Sequence, residues 1–524
     1  MVPHIQLLRH LLLAVLGWVL AWTFAWPWEL SWIGLGLHET APILQFFTLV
    51  TVLYMLLRAP TRMASLRQTW WFATNWLAAL TWWLVHAMTH FTNLPYLAGA
   101  IAVLLLSAAL AVYLALCVGG LFAWVESVLP KQRMLLALTC AAAWSLAEWL
   151  RGHWFTGFPW GELAYTQIDT LRGLATLVGS SGASAVLVFA ASWWALWLHD
   201  KHDAKQAVTA GVLSVLLLMP SVYLSKWAPQ WTQPTTTTDV TLVQGNVRQD
   251  MKFGSSSAQV TQWYAQQIEQ ATTSLVVLPE TAFVQPPERQ SQALWEGIQT
   301  RLDQDQRAAL IGMPLNAGEQ SYSNAVKGLR PTGQPDFSYS KHHLVPFGEF
   351  VPTGFKWLTD AMDIPLGGFR AGSLDQAPMR WDGQQLAVQI CYEDVFGDEL
   401  AQRLWRTKGE PTAWVNVSNL AWFGNTAALS HHLTMARWRA IETGRPIVRA
   451  TNTGATAIID AKGHVTQQLE HNVRGQLVGT FTGHTGFTPY VQWAGRWGHT
   501  PVWLISIAVM LFASWRAVKA QTRQ

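Results

Sequence analysis

Long apolar stretches alternate with short polar segments over the first 225 residues of the chain, and one more stretch lies near its end. Each is close to the about 20 residues that a helix needs to cross the hydrocarbon core of a bilayer. Helices are expected because a backbone in lipid must satisfy its own hydrogen bonds. The pattern predicts eight membrane-spanning helices, at residues 8–25, 41–57, 70–88, 98–124, 134–150, 173–198, 207–224 and 500–515.

The pattern changes between residues 239 and 482, where short β-branched runs alternate with polar segments of helical spacing, such as 257–271 and 291–307. This rhythm predicts an α/β domain with a largely buried sheet. Residues 226–238, rich in proline and threonine, are predicted to be a linker, and 483–524 to contain the return to the last span and a tail. The predicted strands are Val240–Val243, Leu275–Leu278, Ala309–Met313, Leu386–Ile390, Trp414–Val417 and Ala455–Ile459.

Composition and charge agree with a membrane protein. Only 13% of residues are charged, against about 25% in soluble domains, and the 32 tryptophans suit a membrane–water interface. The net charge of +4 gives no reason to expect a nucleic-acid partner. Lysine and arginine are concentrated after the second, fourth, sixth and last spans. The positive-inside rule therefore predicts cytoplasmic termini and a domain 239–482 that faces the bacterial periplasm.

Three residues in the predicted α/β domain are candidates for catalysis. Cys391 is its one cysteine, since Cys117 and Cys140 fall within predicted spans. A buried structural cysteine is one interpretation, because free cysteine packs as a small hydrophobe. However, Cys391 directly follows a predicted strand, where a nucleophile is exposed at the sheet edge. Glu280 also follows a buried strand, and strand ends are where α/β proteins build their sites. Lys341 lies in a polar segment that opens into an apolar loop.

The chain order Glu280, Lys341, Cys391 resembles the Glu-Lys-Cys triad of the nitrilase, or carbon–nitrogen hydrolase, superfamily. With the predicted spans around this domain, nearly the full chain resembles the bacterial apolipoprotein N-acyltransferase family. The resemblance implies an αββα sandwich for the domain, beside an α-helical polytopic membrane part. The stretches that agree are TGFPW at 156–160, VQG at 243–245, KHHLVPFGEFVP at 341–352, ICYE at 390–393, AWFG at 421–424 and TNTG at 451–454.

The resemblance implies a two-step acyl transfer in the bacterial inner membrane. A phospholipid, with phosphatidylethanolamine as the expected donor, gives its sn-1 acyl chain to Cys391. The α-amino group of an N-terminal S-diacylglyceryl cysteine of an apolipoprotein then takes the chain from the thioester. Glu280 is implied as the proton acceptor and Lys341 as the group that stabilises the oxyanion. No cofactor is expected, and the protein is expected to act as a monomer.

The resemblance also implies supporting residues. Glu349, Tyr392 and Glu393 would support the site, although Glu349 also fits a surface or loop-capping carboxylate and Tyr392 a packing residue. Three aromatic residues are candidates for a lid that keeps water from the thioester, or alternatively for interfacial anchors: Phe347, Trp422 and Phe423.

Several positions depart from the family pattern or suggest other roles. Leu420 stands where the family commonly has an acidic residue, and Phe253 follows Lys252 where it commonly has tryptophan. Two histidine pairs, His342-His343 and His431-His432, could suggest zinc, but adjacent histidines on a strand point to opposite faces, so no metal site is expected. An acidic first turn of a helix is predicted at Asp394, Asp398 and Glu399. Phosphate contacts or a solvated helix face are predicted for Arg437, Arg439 and Arg445.

Two other functions compete with acyl transfer to a lipoprotein. A membrane-tethered carbon–nitrogen hydrolase, an amidase, would use the same triad with water in place of the amine. A transporter with a periplasmic sensing domain would carry ionisable residues within its spans. Such residues are few here, chiefly Glu148.

Overall fold

The computed structural model describes residues 3–33, 35–91, 94–199, 208–209, 211–212, 231–253, 256–318, 321–354 and 368–523. The chain divides into two compact units. The helical unit comprises Met1–Thr89, Leu94–Pro229 and Trp497–Gln524, and the sheet unit comprises His90–Asn93 and Gln230–Arg496. The predicted seventh span, 207–224, lies almost wholly outside the described residues.

The helical unit has long apolar helices at most of the predicted positions. Its described helices are Pro3–Trp22, Pro42–Leu57, Arg62–Leu80, Trp83–Phe91, Tyr96–Leu114, Arg133–His153, Arg172–His199 and Thr500–Gln521, with a π-helix at Ala115–Phe122 that runs into a short helix at Ala123–Val128. Within the described residues, four helical stretches are long and apolar enough to cross a membrane, and they overlap the predicted first, fourth, sixth and eighth spans: His4–Trp22, Tyr96–Val128, Arg172–His199 and Thr500–Gln521.

The predicted third span, 70–88, is wrong as a single helix. The helix begins earlier, at Arg62, because the Thr61 side chain accepts a hydrogen bond from the Ala64 N–H at 3.1 Å and caps the first turn. It ends at Leu80, and a second helix begins at Trp83. Hydropathy did not reveal the start, because the first turns carry arginine and glutamine.

In the part of the chain that the structure describes, the sheet unit contains two six-stranded sheets, with strand orders β12-β1-β2-β3-β4-β5 and β11-β10-β9-β8-β7-β6. The strands are β1 Thr232–Gln244, β2 Leu275–Val277, β3 Ala308–Asn316, β4 Tyr322–Leu329, β5 Phe337–Ser340, β6 Met379–Trp381, β7 Gln384–Ile390, β8 Ala413–Ser418, β9 Ile447–Thr451, β10 Ala457–Ile459, β11 Val465–Gln468 and β12 Gly475–Gly486. All six predicted strands are present. The six that were missed are short, polar or rich in glycine, so periodicity gave little indication of them.

Alternate residues along the strands pack into different cores, as the two-residue period of a strand requires. Val277 of one sheet and Val388 of the other belong to the core between the sheets. The neighbouring Val276 packs with Ile298 on the helix side of the first sheet. Burying each such aliphatic side chain contributes about 1.5–3 kcal/mol.

Helices cover the outer faces of both sheets. They are Gln249–Phe253, Ser257–Gln270 and Gln292–Asp305 between β1 and β3, and Gly397–Arg406, Ala428–Thr443 and Pro489–Trp497 after β7. Ile268 and Ile298 pack on the first sheet, and Leu404 and Ala436 pack with Trp414 on the second. The layers are therefore α, β, β, α, which confirms the predicted sandwich.

The boundaries of the predicted domain differ from those observed. Strand β1 begins at Thr232, within the segment 226–238 that was predicted to be a linker. Its threonines are β-branched and suit a strand, and Thr232 pairs with Gly486 of β12 in antiparallel register. Strand β12 and the helix Pro489–Trp497 carry the unit beyond the predicted end at 482.

Candidate active site

The three candidate catalytic residues all follow strands of the sheet unit. Glu280 lies three residues after β2, Lys341 directly follows β5, and Cys391 directly follows β7. Strands β2 and β5 belong to one sheet and β7 to the other. The Lys341 Nζ atom lies 3.7 Å from Glu280 Oε1, and the charges of both residues act on the Cys391 thiol. The structure therefore brings the three residues into one site.

The backbone at this site is held in an uncommon conformation. Cys391 has φ +52°, and Thr281, next to Glu280, has φ +48°. The left-handed region costs a residue with a side chain roughly 1–2 kcal/mol, so surrounding contacts must stabilise it. At Cys391, Glu393 Oε2 accepts a hydrogen bond from the Ile390 N–H at 2.6 Å and closes the turn Cys391–Val395.

Both carboxylate oxygens of Glu280 accept hydrogen bonds. Asn324 Nδ2 donates to Oε1 and the Asn419 backbone N–H donates to Oε2, each at 2.7 Å. Glu280 is only 8% exposed, so these bonds fix the carboxylate within the protein. Asn324 and Asn419 were not predicted as site residues, because they match no local motif in the sequence.

Glu349 is paired with Lys341 within the site. Its two oxygens lie 3.0 and 2.9 Å from Lys341 Nζ, and Oε2 also accepts the Val345 N–H at 2.7 Å. It is 7% exposed, so it is not a surface carboxylate, although it does cap its own loop. Burial would lower the pKa of Lys341, but the charges of Glu349, Glu280 and Cys391 outweigh this and raise it. The neighbouring carboxylates therefore favour the charged ammonium form of Lys341.

The surroundings of the Cys391 sulfur favour the thiol over the thiolate. Burial and the charge of Glu280 raise its pKa well above the usual range, and the charge of Lys341 opposes them only in part. A protonated thiol is a weak nucleophile, so attack on a carbonyl requires a base. The Glu280 carboxylate is the base that the geometry offers.

Glu393 and Tyr392 have different environments. Glu393 Oε1 accepts hydrogen bonds from the Tyr339 hydroxyl at 2.8 Å and from the His342 N–H at 2.6 Å. These bonds connect the turn Cys391–Val395 to the segment after Lys341. Burial raises the pKa of Glu393. The ring of Tyr392 is buried and lies edge-on to Phe396, with the ring centres 5.1 Å apart, which is a packing contact.

The candidate lid residues lie on segments that directly adjoin the site. Phe347, 38% exposed, precedes Glu349 in the same loop, and Trp422, 40% exposed, lies in the turn Leu420–Phe423 that follows Asn419. Phe423 is partly buried. Leu420 itself is 1% exposed, so this departure from the family pattern places an apolar side chain inside the protein.

A second lysine lies behind Glu280. Lys252, in the helix Gln249–Phe253, is fully buried. Its Nζ atom donates to the Glu280 carbonyl oxygen and to Thr281 Oγ1, both at 3.2 Å. In the sequence, Lys252 stood out only as the residue before Phe253. Its burial beside the candidate base Glu280 was not predicted.

Three secondary predictions need correction. The pair His431-His432 lies in the helix Ala428–Thr443, and His342-His343 follows β5 in irregular structure, so neither pair is on a strand. Asp398 and Glu399 do lie in the first turn of the helix Gly397–Arg406. Asp394 does not; it is fully buried and paired with Arg449 at 2.5 Å. Two of the three arginines predicted to be solvated or near phosphate are also buried: Arg439 and Arg445.

Comparison with known proteins agrees with this architecture. Residues 40–193 match the family described as "Apolipoprotein N-acyltransferase N-terminal domain", and residues 240–488 match "Carbon-nitrogen hydrolase". An apolipoprotein N-acyltransferase of Verminephrobacter eiseniae is 44% identical over 82% of each chain. One of Ralstonia nicotianae is 38% identical over 91% of this chain and 90% of its own.

Among solved structures, the crystal structure of a carbon–nitrogen hydrolase from Helicobacter pylori aligns with 50% of this chain and 92% of its own. Its sequence identity is 14% and its TM-score 0.36. The chain is an acyltransferase that belongs to the apolipoprotein N-acyltransferase family and joins an apolar helical part to a carbon–nitrogen hydrolase domain.

Proposed function

We propose that the protein moves the sn-1 acyl chain of a phospholipid onto the N-terminal α-amino group of a diacylated apolipoprotein, through a thioester on Cys391. The observation that carries this proposal is the site that gathers the Cys391 thiol, the Glu280 carboxylate held by two hydrogen bonds, and the Lys341 ammonium 3.7 Å from that carboxylate. Phosphatidylethanolamine is the proposed donor, and the protein acts as a monomer without a cofactor.

In the first step, Glu280 takes the thiol proton and the Cys391 sulfur attacks the ester carbonyl of the donor. The carbonyl oxygen becomes an oxyanion beside the Lys341 ammonium, which stabilises it. Collapse of this intermediate breaks the ester bond. The leaving alkoxide takes the proton from Glu280 and departs as a lysophospholipid, which leaves a thioester and an ionised carboxylate.

In the second step, the free amine of the apolipoprotein attacks the thioester carbonyl. Lys341 again stabilises the oxyanion, and Glu280 accepts a proton from the attacking nitrogen. The C–S bond then breaks and an amide forms. The proton on Glu280 returns to the sulfur, so the enzyme regains its initial state.

Supporting residues act through these groups. Glu349 positions Lys341, Glu393 holds the nucleophile turn, and Tyr392 packs behind it. Water competes with the amine for the thioester, so the site needs an apolar cover. We propose that Phe347, Trp422 and Phe423 supply this cover because each lies on a segment that also holds a residue of the site.

The proposed location is the bacterial inner membrane, with the sheet unit in the periplasm and both termini in the cytoplasm. Support comes from the lysines and arginines concentrated in the loops assigned to the cytoplasm. Tagging each terminus and testing access of a membrane-impermeant reagent checks this orientation.

Acyl trapping tests the function. Purified protein is incubated with phosphatidylethanolamine labelled in its sn-1 chain, and hydroxylamine-sensitive label on the protein is measured. We expect label on the wild type and on Cys140→Ala, a control at a buried cysteine of the helical unit, but none on Cys391→Ser. An apolipoprotein peptide should then convert from diacyl to triacyl by mass spectrometry. Absence of label, together with release of ammonia from small amides, would favour the amidase instead.

A further inference from the structure

A buried charge cluster lies directly behind the nucleophile. Asp394, three residues after Cys391, has one carboxylate oxygen 2.5 Å from Arg449 Nη1 and the other 3.0 Å from His432 Nε2. Asn416 Nδ2 donates to the oxygen that faces Arg449, at 3.3 Å. Each of the three charged or ionisable groups is at most 1% exposed. The cluster is therefore enclosed by protein.

The hydrogen bonds fix the state of His432. Arg449 Nη2 lies 2.6 Å from His432 Nδ1. A guanidinium only donates, so Nδ1 must be the acceptor and carry no proton. The other ring nitrogen, Nε2, then carries the hydrogen of the neutral ring and faces Asp394. Arginine, histidine and aspartate thus form a closed ring of contacts.

The cluster interrupts an otherwise apolar layer. Asn416 of β8 pairs in register with Arg449 of β9, and two residues earlier on each strand Trp414 and Ile447 belong to the core under the helices. Residues two apart point to the same face, so the polar pair occupies positions where aliphatic side chains would pack well. Burying an ion pair costs desolvation energy that aliphatic replacements avoid, so stability gives no reason for it.

The position of the charge cluster behind Cys391 indicates its role. The turn Cys391–Val395 begins at a residue with φ +52° and contains Asp394, so a fixed Asp394 restricts the turn that presents the sulfur. We propose that Asp394, Arg449 and His432 form a positioning element, which holds this turn and compensates the carboxylate charge behind the nucleophile. The proposal rests on the proposed function only in that Cys391 is the nucleophile.

The charges around the Cys391 sulfur indicate how Arg449 acts on it. The groups that act on Cys391 are Glu280, Lys341, Asp394 and Glu349, and the Asp394 carboxylate raises the pKa of the thiol. Burial alone would raise the pKa of Asp394, but Arg449 and His432 outweigh this and lower it, so the carboxylate stays ionised. Arg449 offsets the negative charge of Asp394 at the sulfur. Its removal, with His432 still paired to the carboxylate, would therefore make thiolate formation less favourable.

The test measures the pKa of the Cys391 thiol in the full-length protein, from the rate of alkylation by iodoacetamide against pH. Cys117→Ala and Cys140→Ala are introduced first, so that Cys391 is the one remaining thiol. Alkylation needs neither phospholipid nor apolipoprotein. It therefore reports on the cluster even if the proposed acyl transfer is wrong, and acyl trapping reports on the transfer separately.

Substituting Arg449 and substituting Asp394 should shift the pKa of the Cys391 thiol in opposite directions. Arg449→Met leaves Asp394 uncompensated and should slow alkylation at neutral pH roughly tenfold, whereas Asp394→Asn leaves the guanidinium uncompensated and should accelerate it. The double variant should return close to the wild-type rate. Arg449→Lys keeps the charge and should keep the rate, while slowing thioester formation because the forked contacts to Asp394 and His432 are lost.

Arg445→Met is the matched control. Arg445 is equally buried, but its hydrogen bonds go to backbone carbonyls, those of Pro411, Thr443, Gly444 and Gly486. This variant should therefore lower Tm and leave the thiol pKa unchanged. The proposal would be overturned if Arg449→Met and Asp394→Asn both left the thiol pKa unchanged, or if both shifted it in the same direction. If Arg449→Met does not fold, Asp394→Asn decides: an unaltered alkylation rate there contradicts it.

Discussion

Asn324 Nδ2 donates a 2.7 Å hydrogen bond to Glu280 Oε1, from a strand 44 positions further along the chain. The same amide donates to Glu349 Oε1 at 2.5 Å, so one side chain holds both carboxylates of the site. Hydrogen bonds to a charged group contribute about 1.5–3 kcal/mol each. Asn324 therefore couples the proposed base to the partner of the proposed oxyanion cation.

Asn324→Ala should slow thioester formation by about 10- to 100-fold. The substitution removes the two hydrogen bonds that hold the carboxylates of Glu280 and Glu349 in place, each worth on the order of a kilocalorie per mole. Single-turnover labelling with the phospholipid measures this step. Asn316→Ala, at the exposed end of the neighbouring strand β3, should leave the rate unchanged. Equal rates for wild type and Asn324→Ala would show that Glu280 is held well enough without the amide.

The charges of Glu280 and Lys341 should shift the Cys391 thiol in opposite directions. Glu280 raises the pKa of that thiol and Lys341 lowers it. Glu280→Gln should therefore lower the thiol pKa and accelerate alkylation by iodoacetamide at neutral pH, even though acyl transfer is lost. Lys341→Met should raise the pKa and slow alkylation. A slower reaction in Glu280→Gln would mean that its carboxylate does not act on the sulfur.

Gly312 permits the close approach of β3 to the segment that carries Glu280. A Cβ atom at this position would lie 2.2 Å from the Pro279 carbonyl oxygen and 2.8 Å from Glu280 Cα. Gly312→Ala must therefore displace Glu280, and a displacement of about 1 Å can lower a rate about 100-fold. We expect a loss of that order in thioester formation, with destabilisation of about 1–3 kcal/mol.

Gly297→Ala is the control for this substitution. Gly297 lies in the helix Gln292–Asp305, and the nearest atom to an added Cβ is 3.9 Å away. Alanine in a helix is favoured over glycine by about 0.5–1 kcal/mol. This variant should be fully active and slightly more stable. Similar activity losses in both variants would point to a general effect on folding.

Lys252 should make the stability of the sheet unit depend on pH. Burial lowers its pKa to about 7, and the charge of Glu280 opposes this only in part; a lysine in an unfolded chain has a pKa of about 10.4. Between pH 7 and about 10.4, Lys252 binds more protons in the unfolded chain than in the folded protein. Its contribution to the free energy of unfolding therefore rises with pH over this range, and it is lost as the pH falls through 7.

Lys252→Met removes that contribution. The Tm of Lys252→Met minus the Tm of wild type should be highest near pH 7. It should decline steadily towards pH 10, because the wild-type lysine then becomes neutral in the folded and the unfolded state alike. Lys462→Met, at an exposed position, should show no such trend. A Tm difference that is constant over this range would mean that Lys252 titrates normally in the folded protein.

The sequence predicted those parts of the site that depend on local pattern. Glu280 and Cys391 were identified because each follows a short apolar run, and the end of such a run is visible without a structure. Asn419 was not, because its contact with Glu280 joins residues 139 positions apart through a backbone N–H, which any residue type except proline could supply.

Asp394 shows a different limit of sequence reasoning. Three acidic residues near the start of a helix predicted one acidic turn, yet Asp394 precedes that helix and pairs with Arg449, 55 positions away. Burial of a carboxylate depends on a cation brought to it by the fold. The position of Arg449 on β9 becomes known only once the strand order is known, and β9 was among the strands that the pattern missed.

The division of the reacting groups between two sheets has a consequence for heat inactivation. Glu280 and Lys341 follow strands of one sheet and Cys391 a strand of the other, so their spacing depends on apolar side chains such as Val277 and Val388 packed between the sheets. A slight slip of one layer over the other would separate sulfur from carboxylate while every strand stayed paired. Acyl transfer should therefore fail at a lower temperature than circular dichroism records melting, and Val388→Ala should widen that interval.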